Sequence, residues 1–134
     1  MNLRALAPVL LAVLQLSACA AMQAPQCPLP DQKAMQVTHL YFGRAHVPDA
    51  EWRKFETDVI AVQFPDGFTV TNGHGAWRDP ASGRRSEEPS TIVMIAAPAK
   101  AQTSVRIQAV RAAYKSRFHQ ISVGAVSAMS CAAF

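Results

Sequence analysis

The chain lacks the sequence patterns that mark most recognisable catalytic and metal sites. It contains no G-x-S-x-G nucleophile elbow, no phosphate-binding loop and no dinucleotide-binding fingerprint. The four histidines, at positions 39, 46, 74 and 119, do not show the paired spacing of metal ligands such as H-E-x-x-H. The three cysteines include no C-x-x-C pair, which argues against thiol redox chemistry. We therefore expect neither a metal nor a cofactor, and the sequence gives catalysis little support.

Charged residues are also few, at 16% of the 134 residues, whereas hydrophobic residues make up 50%. This balance is typical of a globular chain, and the length suffices for one small domain. The net charge of +4 is mild, and the basic residues are scattered along the chain. This positive charge favours contact with anionic lipid or polymer surfaces. The alternative is a basic surface that has no binding partner. We expect no nucleic-acid binding.

A long apolar run occurs at the N-terminus, where residues 5–18 carry no charge and follow Arg4. The run is shorter than the roughly 20 residues that span a bilayer, but it suits the apolar region of an export signal. Leu16-Ser17-Ala18-Cys19 resembles the bacterial lipobox, whose cysteine is lipidated and becomes the mature N-terminus. We predict a signal peptide over 1–18 and a lipid anchor on Cys19.

The same segment also fits two other outcomes. Ala18-Cys19-Ala20 satisfies the small-x-small rule of ordinary signal cleavage, which would give a secreted or soluble periplasmic protein. An uncleaved membrane helix is the weakest option, because the run is short and contains Pro8. We favour lipidation, which predicts a periplasm-facing protein of the bacterial envelope. Ala20 after the cysteine resembles lipoproteins of the outer membrane.

The rest of the chain divides into a flexible tether, rich in Ala, Gln and Pro, over 19–36 and one domain over 37–134. If Cys19 carries lipid, Cys27 and Cys131 remain as an even pair in an oxidising compartment. A bridge between them would close a loop of about 100 residues, and two unpaired buried thiols are the alternative.

Two helices are predicted from hydrophobic spacing. The first begins at Pro48 and buries Trp52, Phe55, Val59 and Val62. The second covers about 103–118, and its buried stripe includes Tyr114 as a core aromatic, so the tyrosine is not expected to act as an acid. His119 follows that helix and is expected to be a surface side chain favoured by the helix dipole. The buried stripe of the second helix consists of Ile107, Val110, Tyr114 and Phe118.

Four strands are predicted around these helices. They cover residues 37–43, 68–78, 91–96 and 121–131, and the glycines at 72–75 are expected to interrupt the second strand as a bulge or turn. The element order is β-α-β-β-α-β, which predicts an α+β ferredoxin-like domain with a four-stranded antiparallel sheet and both helices on one face. In that topology the end of the last strand lies near the start of the first. The order therefore brings Cys131 close to Cys27, although the tether leaves Cys27 free to lie elsewhere.

Several short segments, in order and at matching spacing, resemble a family of small, mostly bacterial envelope proteins known only as a domain of unknown function (DUF3574). The resemblance covers about 37–134 and implies an α+β domain, but it implies no activity because the family has none assigned. Pro48 stands where a Ser-like helix cap is expected from the resemblance. The matching segments are Leu40–Arg44, Glu51–Trp52, Phe64–Val70, Gly75–Asp79, Glu88–Ser90 and Tyr114–Val123.

The sheet face away from the helices is a candidate interaction surface. Alternation along the first strand places His39 and Tyr41 on this face, and we expect Val93 and Ile95 of the third strand beside them. Such a face is too apolar to remain solvated. A second copy of the chain or a folded-back loop is expected to cover it in preference to a ligand pocket.

One cluster of polar and aromatic residues could bind a ligand. Glycines near His74 would let the backbone approach a ligand closely, Trp77 offers a stacking surface, and the arginines could hold an anion. The candidate residues are Tyr41, Arg44, His74, Trp77, Arg78 and Glu88.

Each of these residues also has a structural explanation, which we favour at this point because no known site pattern is matched. Gly73 and Gly75 could serve a bulge only, Trp77 could belong to the core, and Arg78 could pair with Glu88 across the hairpin. The sequence therefore favours a lipid-anchored binding or accessory module for an anionic small molecule or an envelope component. One alternative is a small enzyme that acts on an anionic substrate through Tyr41, His74 or Glu88, with the substrate held by two arginines, Arg44 and Arg78. The other is a purely structural envelope component.

Overall fold

Residues 25–134 are described by the structure, a computed structural model, and they form a four-stranded sheet with two helices. The first helix, α1, covers 49–63 and has three parts, an α-helix Asp49–Phe55, a π-helical turn Glu56–Ile60 and a last α-helical turn Ala61–Gln63. The second, α2, is Ala101–Phe118. The strands are β1 Lys33–Gly43, β2 Thr69–Arg78, β3 Arg85–Ala97 and β4 Gly124–Ala132.

The sheet has the strand order β2-β3-β1-β4, and all neighbouring strands are antiparallel. Two central strands, β1 and β3, therefore carry a hydrogen-bonded neighbour on each side. The chain order β-α-β-β-α-β with this strand order is the ferredoxin-like arrangement, and the predicted fold class is confirmed.

The face of the sheet under the helices differs from the prediction at β3. Val93 and Ile95 are buried in the core, not on the open face. The reason is the register, because Leu40 of β1 lies directly opposite Val93, and directly opposed residues share a face. The open face instead presents Ile92 and Met94, which are half-buried, beside Tyr41, which is 40% exposed.

Helix α1 buries a different stripe from the predicted one in its second half. Trp52 and Phe55 are buried as expected, but Val62 is 66% exposed. The π-helical turn Glu56–Ile60 causes the change, because wider turns rotate the following residues around the helix axis. Ile60 and Phe64 reach the core in place of Val62.

The core is centred on Phe42, whose ring contacts three other aromatic rings edge to face. The centroid distances from Phe42 are 4.7 Å to Tyr114, 5.2 Å to Trp52 and 6.2 Å to Phe55. Such edge-to-face pairs add about 0.5–1.5 kcal/mol each beyond their buried area. The hydroxyl of Tyr114 also donates a hydrogen bond to the carbonyl oxygen of Gly43 at 2.6 Å, which ties α2 to the end of β1.

Tyr114 makes stability depend on pH in the alkaline range. Burial raises its pKa from 10.0 to about 12, and this effect outweighs the opposing influence of Arg44. Because the folded-state pKa lies above the unfolded one, the resulting stability is complete below pH 10 and is lost as pH rises toward about 12. Urea unfolding across this range should show a smaller loss in Tyr114→Phe than in the wild type. Equal losses of unfolding free energy in both proteins would contradict the assignment of this pH dependence to Tyr114.

Cys27 and Cys131 form a disulfide with a Cα–Cα distance of 5.4 Å, so the predicted pairing is confirmed. Cys131 lies opposite Ala34 in the β1–β4 ladder, which places it close to the chain that enters β1. Strand β1 begins at Lys33, before the predicted domain start at 37. The bridge thus fixes the segment before β1 to the far end of β4.

The predicted signal peptide and Cys19 lie outside the described residues. Within residues 25–134, no helix is long and apolar enough to cross a membrane.

Candidate functional site

A cavity of about 500 Å³ lies on the open face of the sheet, at the end where β1 finishes. Its walls come from the end of β1, the middle of β2, the first half of β3, the start of β4 and the loop after α2. We call it the open-face cavity. Its lining residues are Tyr41, Phe42, Gly43, His74, Gly75, Ala76, Trp77, Glu88, Ser90, Ile92, His119, Gln120, Ile121, Ser122 and Gly124.

Four of the six candidate residues line this cavity, namely Tyr41, His74, Trp77 and Glu88. The antiparallel registers explain how three strands bring them together. Tyr41 of β1 lies opposite Ile92 of β3, and β3 carries Glu88 toward the same end of the sheet. Strand β2 adds Trp77, which shares the face of Glu88, whereas His74 lies opposite Pro89 and its side chain alternates to the other face of the strand. The sequence pattern thus identified residues that meet at one place.

Strand β2 is not interrupted, although a bulge or turn was expected at 72–75. Its pairing with β3 continues without a break from Thr69 to Arg78. Gly73 and Gly75 instead leave this part of the sheet surface without projecting side chains. A Cβ atom at Gly73 would lie 3.3 Å from Oγ of Ser90, and one at Gly75 would lie 3.6 Å from Cβ of Ser90. Small residues here leave the floor of the sheet accessible beside the cavity.

Glu88 is half-buried, and backbone groups define its position. Its Oε2 accepts a hydrogen bond from the backbone N–H of Ala45 at 3.0 Å. A Cβ atom at Gly43 would lie 2.7 Å from Oε1 of Glu88, so a side chain at this position would displace the carboxylate. The ion pairs among residues 25–134 are Arg44–Asp49, Arg85–Glu87 and Arg117–Glu51, and none of them includes Glu88.

Arg44 does not contribute to the open-face cavity. Its guanidinium is buried on the helix side, where it donates to Oδ1 of Asp49 at 2.7 Å and to Oγ1 of Thr91 at 2.9 Å. It also lies over the ring of Trp52, 4.9 Å from the centroid, and donates to the backbone oxygen of Val47. The predicted role in holding an anion is therefore wrong for Arg44, which connects β1, β3 and α1.

Arg78 also lies outside the lining. Its side chain donates to the carbonyl oxygen of Gly83 at 2.8 Å, which closes the β2–β3 turn on itself. The expected pairing of Arg78 with Glu88 is wrong as well, because the register places Arg78 opposite Arg85 and Glu88 opposite Gly75. Within the described part of the chain, residues 25–134, no arginine or lysine lines the open-face cavity.

The loop after α2 supplies one wall of the cavity, and the sequence did not indicate it. His119 is exposed, as expected for a surface residue, and it also lines the cavity. Arg111 of α2 fixes the loop by donating to the carbonyl oxygen of Val123 at 3.0 and 2.8 Å. Ile121, also in the lining, is 69% exposed. The sequence feature that could have indicated this loop is His119 itself, a non-glycine residue directly after a helix, where glycine is the usual choice.

His119 has a left-handed backbone conformation, with φ 52° and ψ 37°. Its N–H and that of Gln120 both donate to the carbonyl oxygen of Lys115, which ends the helix. Glycine adopts this conformation without the steric cost that a Cβ atom brings. A residue kept in a disfavoured conformation beside a cavity points to a role for its side chain.

Replacing His119 with glycine is expected to raise the free energy of unfolding by about 0.5–1 kcal/mol, because it relieves the left-handed backbone. Urea denaturation measures the change. His119→Asn is the matched control, since asparagine tolerates this conformation better than most residues, and a smaller gain is expected from it. A loss of stability in His119→Gly would show that imidazole contacts outweigh the backbone cost.

The described residues do not form a metal centre. Among residues 25–134, no three His, Cys, Asp or Glu side chains come together in an arrangement suited to a metal ion.

The comparisons with known proteins agree with this fold. The model of the family described as "Protein of unknown function (DUF3574)" matches residues 37–134, and the chain belongs to this family. No curated protein sequence matches the chain. Among solved structures, the fold is similar to a phage SAM lyase in complex with S-methyl-5′-thioadenosine. That match has a TM-score of 0.61 and 11% sequence identity, and it covers 81% of this chain and 97% of the lyase chain.

Proposed function

We propose that this protein is a binding module of the bacterial envelope and that the open-face cavity is its ligand site. The observation that carries this proposal is the composition of the lining, where two large rings, Tyr41 and Trp77, accompany His119 and the Glu88 carboxylate. A mainly apolar cavity of this size with a few convergent polar groups is typical of small-molecule sites. The rings offer stacking surfaces, and the polar groups fix the orientation of the ligand.

The fold likeness suggests which molecules to test first. The phage SAM lyase is described with S-methyl-5′-thioadenosine bound, and a cavity of about 500 Å³ accommodates a ligand of nucleoside size. A panel of nucleosides, nucleotides and aromatic amines, applied to the full chain in a thermal-shift screen, therefore comes first. Each molecule that raises the melting temperature is then titrated by calorimetry.

Trp77→Ala and Arg78→Ala provide a matched pair of variants for those titrations. Trp77 lines the cavity, whereas its neighbour Arg78 bonds to the hairpin turn outside it. We expect Trp77→Ala to weaken binding about tenfold, because stacking on an aromatic ring contributes about 1–3 kcal/mol per base. Arg78→Ala should bind like the wild type. Equal weakening in both variants, or no binding by the wild type across the panel, would contradict the proposal.

A small enzyme is the second candidate function. Tyr41 and Glu88 line one cavity on the same sheet face, His74 borders it from the strand position whose side chain alternates to the other face, and the fold is similar to that of a lyase. Against this, within residues 25–134 no hydrogen bond joins these three side chains, and Glu88 accepts its bond from a backbone N–H. Incubation with S-adenosylmethionine and chromatography of the mixture tests for turnover, with Glu88→Gln as the control. If S-adenosylmethionine is recovered unchanged, the binding module remains the favoured function.

The lipid anchor on Cys19 is part of the same proposal and has its own test. The apolar run before the lipobox-like sequence supports it. Mass spectrometry of the mature protein should find Cys19 at the N-terminus with attached acyl chains, and Cys19→Ser should abolish the modification. An unmodified N-terminus after Cys19 would indicate a soluble periplasmic or secreted protein instead.

A homodimer through the open sheet face is also proposed. Ile92 and Met94 lie half-buried on this face, and Val126 of β4 is 58% exposed beside them. Apolar area of this kind favours association, and a second copy would also close the open-face cavity, which shares Ile92. Sedimentation equilibrium should give twice the chain mass and a monomer for Val126→Lys. A monomeric wild type would contradict the dimer.

A further inference from the structure

The polar lining of the open-face cavity has an unbalanced charge distribution. Among residues 25–134, Glu88 is the single carboxylate in the lining, and no arginine or lysine of this part of the chain lines the cavity. Both arginines that were expected to hold an anion point elsewhere, Arg44 toward Asp49 and Arg78 toward Gly83. A site with this distribution repels an anion and attracts a cation.

Glu88 is held in place by a backbone hydrogen bond, and none of the ion pairs among residues 25–134 includes its carboxylate. One of its oxygens accepts from the Ala45 N–H at 3.0 Å, and the other occupies the space that Gly43 leaves open. The neighbouring Glu87 differs, because it is exposed and pairs with Arg85 at 2.8 Å. Two adjacent glutamates on one strand thus have different environments, and Glu88, which pairs with no arginine or lysine among residues 25–134, lies in the cavity.

The aromatic rings in the lining also favour a cation over an anion. The faces of tryptophan and tyrosine carry negative charge density and attract organic cations, and Trp77 and Tyr41 both line the cavity. A carboxylate beside such rings is suited to a positive centre attached to an apolar or flat body. It is poorly suited to ligands that carry a net negative charge, such as a nucleoside monophosphate.

Resting on the proposed function, we propose that the open-face cavity selects a small organic cation, such as a sulfonium or quaternary ammonium compound of nucleoside size. Its positive centre lies against the carboxylate of Glu88, and its flat part contacts Trp77 and Tyr41. This reverses the preference for an anion that the sequence suggested.

Three probes of similar body but different charge test this proposal by calorimetry on the full chain. S-adenosylmethionine carries a sulfonium, S-adenosylhomocysteine is its neutral thioether counterpart, and adenosine monophosphate is an anion. We expect the sulfonium to bind about tenfold more tightly than the thioether, consistent with cation–carboxylate and cation–ring attraction. The anion should bind weakest, and added sodium chloride should reduce the sulfonium preference.

Three variants locate the source of the preference. Glu88→Gln keeps the shape of the side chain and removes its charge, so affinity for the sulfonium should fall to the thioether level. Gly43→Ala keeps the charge but displaces the carboxylate, because the new Cβ would lie 2.7 Å from Oε1, and it should have the same effect. Glu87→Gln removes a charge outside the cavity and should leave the preference intact. Thermal unfolding of each variant shows whether it is folded.

The outcomes separate the two proposals. Equal binding of sulfonium and thioether by the wild type would overturn the cation proposal and leave the binding module standing. Tightest binding of the anion would overturn it as well. If none of the three probes binds, the cation proposal fails, and the panel screen then decides whether the cavity binds any ligand. A sulfonium preference that survives in both Glu88→Gln and Gly43→Ala would refute the role of Glu88.

Discussion

Replacing Cys27 and Cys131 together with serine is expected to lower the free energy of unfolding by about 2–5 kcal/mol. The two residues are 104 positions apart, so the bridge restricts almost the whole domain in the unfolded chain. On the chain-entropy model, a closed loop of this size stabilises by about 4.7 kcal/mol. A domain of this size has about 5–15 kcal/mol in total, so the double variant loses a large share of its stability.

Urea denaturation with and without a reducing agent measures this effect. The reduced wild type should unfold like Cys27→Ser/Cys131→Ser, and the double variant should not respond to the reductant. The bridge also joins the segment before β1 to β4, so amide exchange in β4 should become faster without it. A loss smaller than about 1 kcal/mol would mean that the sheet alone holds these two chain ends together.

Replacing Arg44 with alanine is the second large effect, and we expect a loss of about 2–4 kcal/mol. The side chain of Arg44 is only 8% exposed and contacts three parts of the fold. Its removal leaves the carbonyl oxygen of Val47 and the hydroxyl of Thr91 without this donor, and it also removes the cation–ring contact with Trp52. An unsatisfied buried polar group costs about 1–3 kcal/mol, and the lost packing adds to this.

Two further variants separate the contributions of Arg44. Arg44→Lys retains the charge but not the fork of donors, so it should recover only part of the stability. Asp49→Ala removes the exposed partner, which has 84% exposure, and should cost less than 1 kcal/mol. If Asp49→Ala proved as costly as Arg44→Ala, the ion pair rather than the buried contacts would be the main contribution. Chemical denaturation distinguishes these results.

The fold could be predicted from the sequence because local patterns and long-range constraints agree. The second helix shows this agreement, since Ile107, Val110 and Tyr114 recur at helical spacing and all three are buried. The disulfide followed from topology and cysteine count together.

Two parts of the fold could not be predicted from such patterns. A continuous apolar run such as 91–96 has no alternation, so its inward face depends on pairing with β1. The π-helical turn Glu56–Ile60 has no hydrophobic signature, and it shifts the stripe of α1 from Val62 to Ile60.

The candidate site was predictable only in part. Tyr41, His74, Trp77 and Glu88 were found because unusual residue types cluster near glycines on neighbouring strands. Side-chain direction is not contained in such a cluster, and therefore Arg44, which turns to the helix side, was assigned wrongly.

The loop around His119 was missed for another reason. Its approach to the cavity depends on where α2 ends and on the left-handed conformation of His119, neither of which the hydrophobic pattern specifies.

The most direct test of the ligand site uses the two tryptophans of the chain, each of which contributes one indole N–H signal to an NMR spectrum. Trp77 lines the open-face cavity, whereas Trp52 is 5% exposed in the core. Titration of the full chain with S-adenosylmethionine should shift the Trp77 signal, with saturation, and leave the Trp52 signal in place. Binding detected by calorimetry without a shift at Trp77 would contradict the assignment of the cavity as the ligand site.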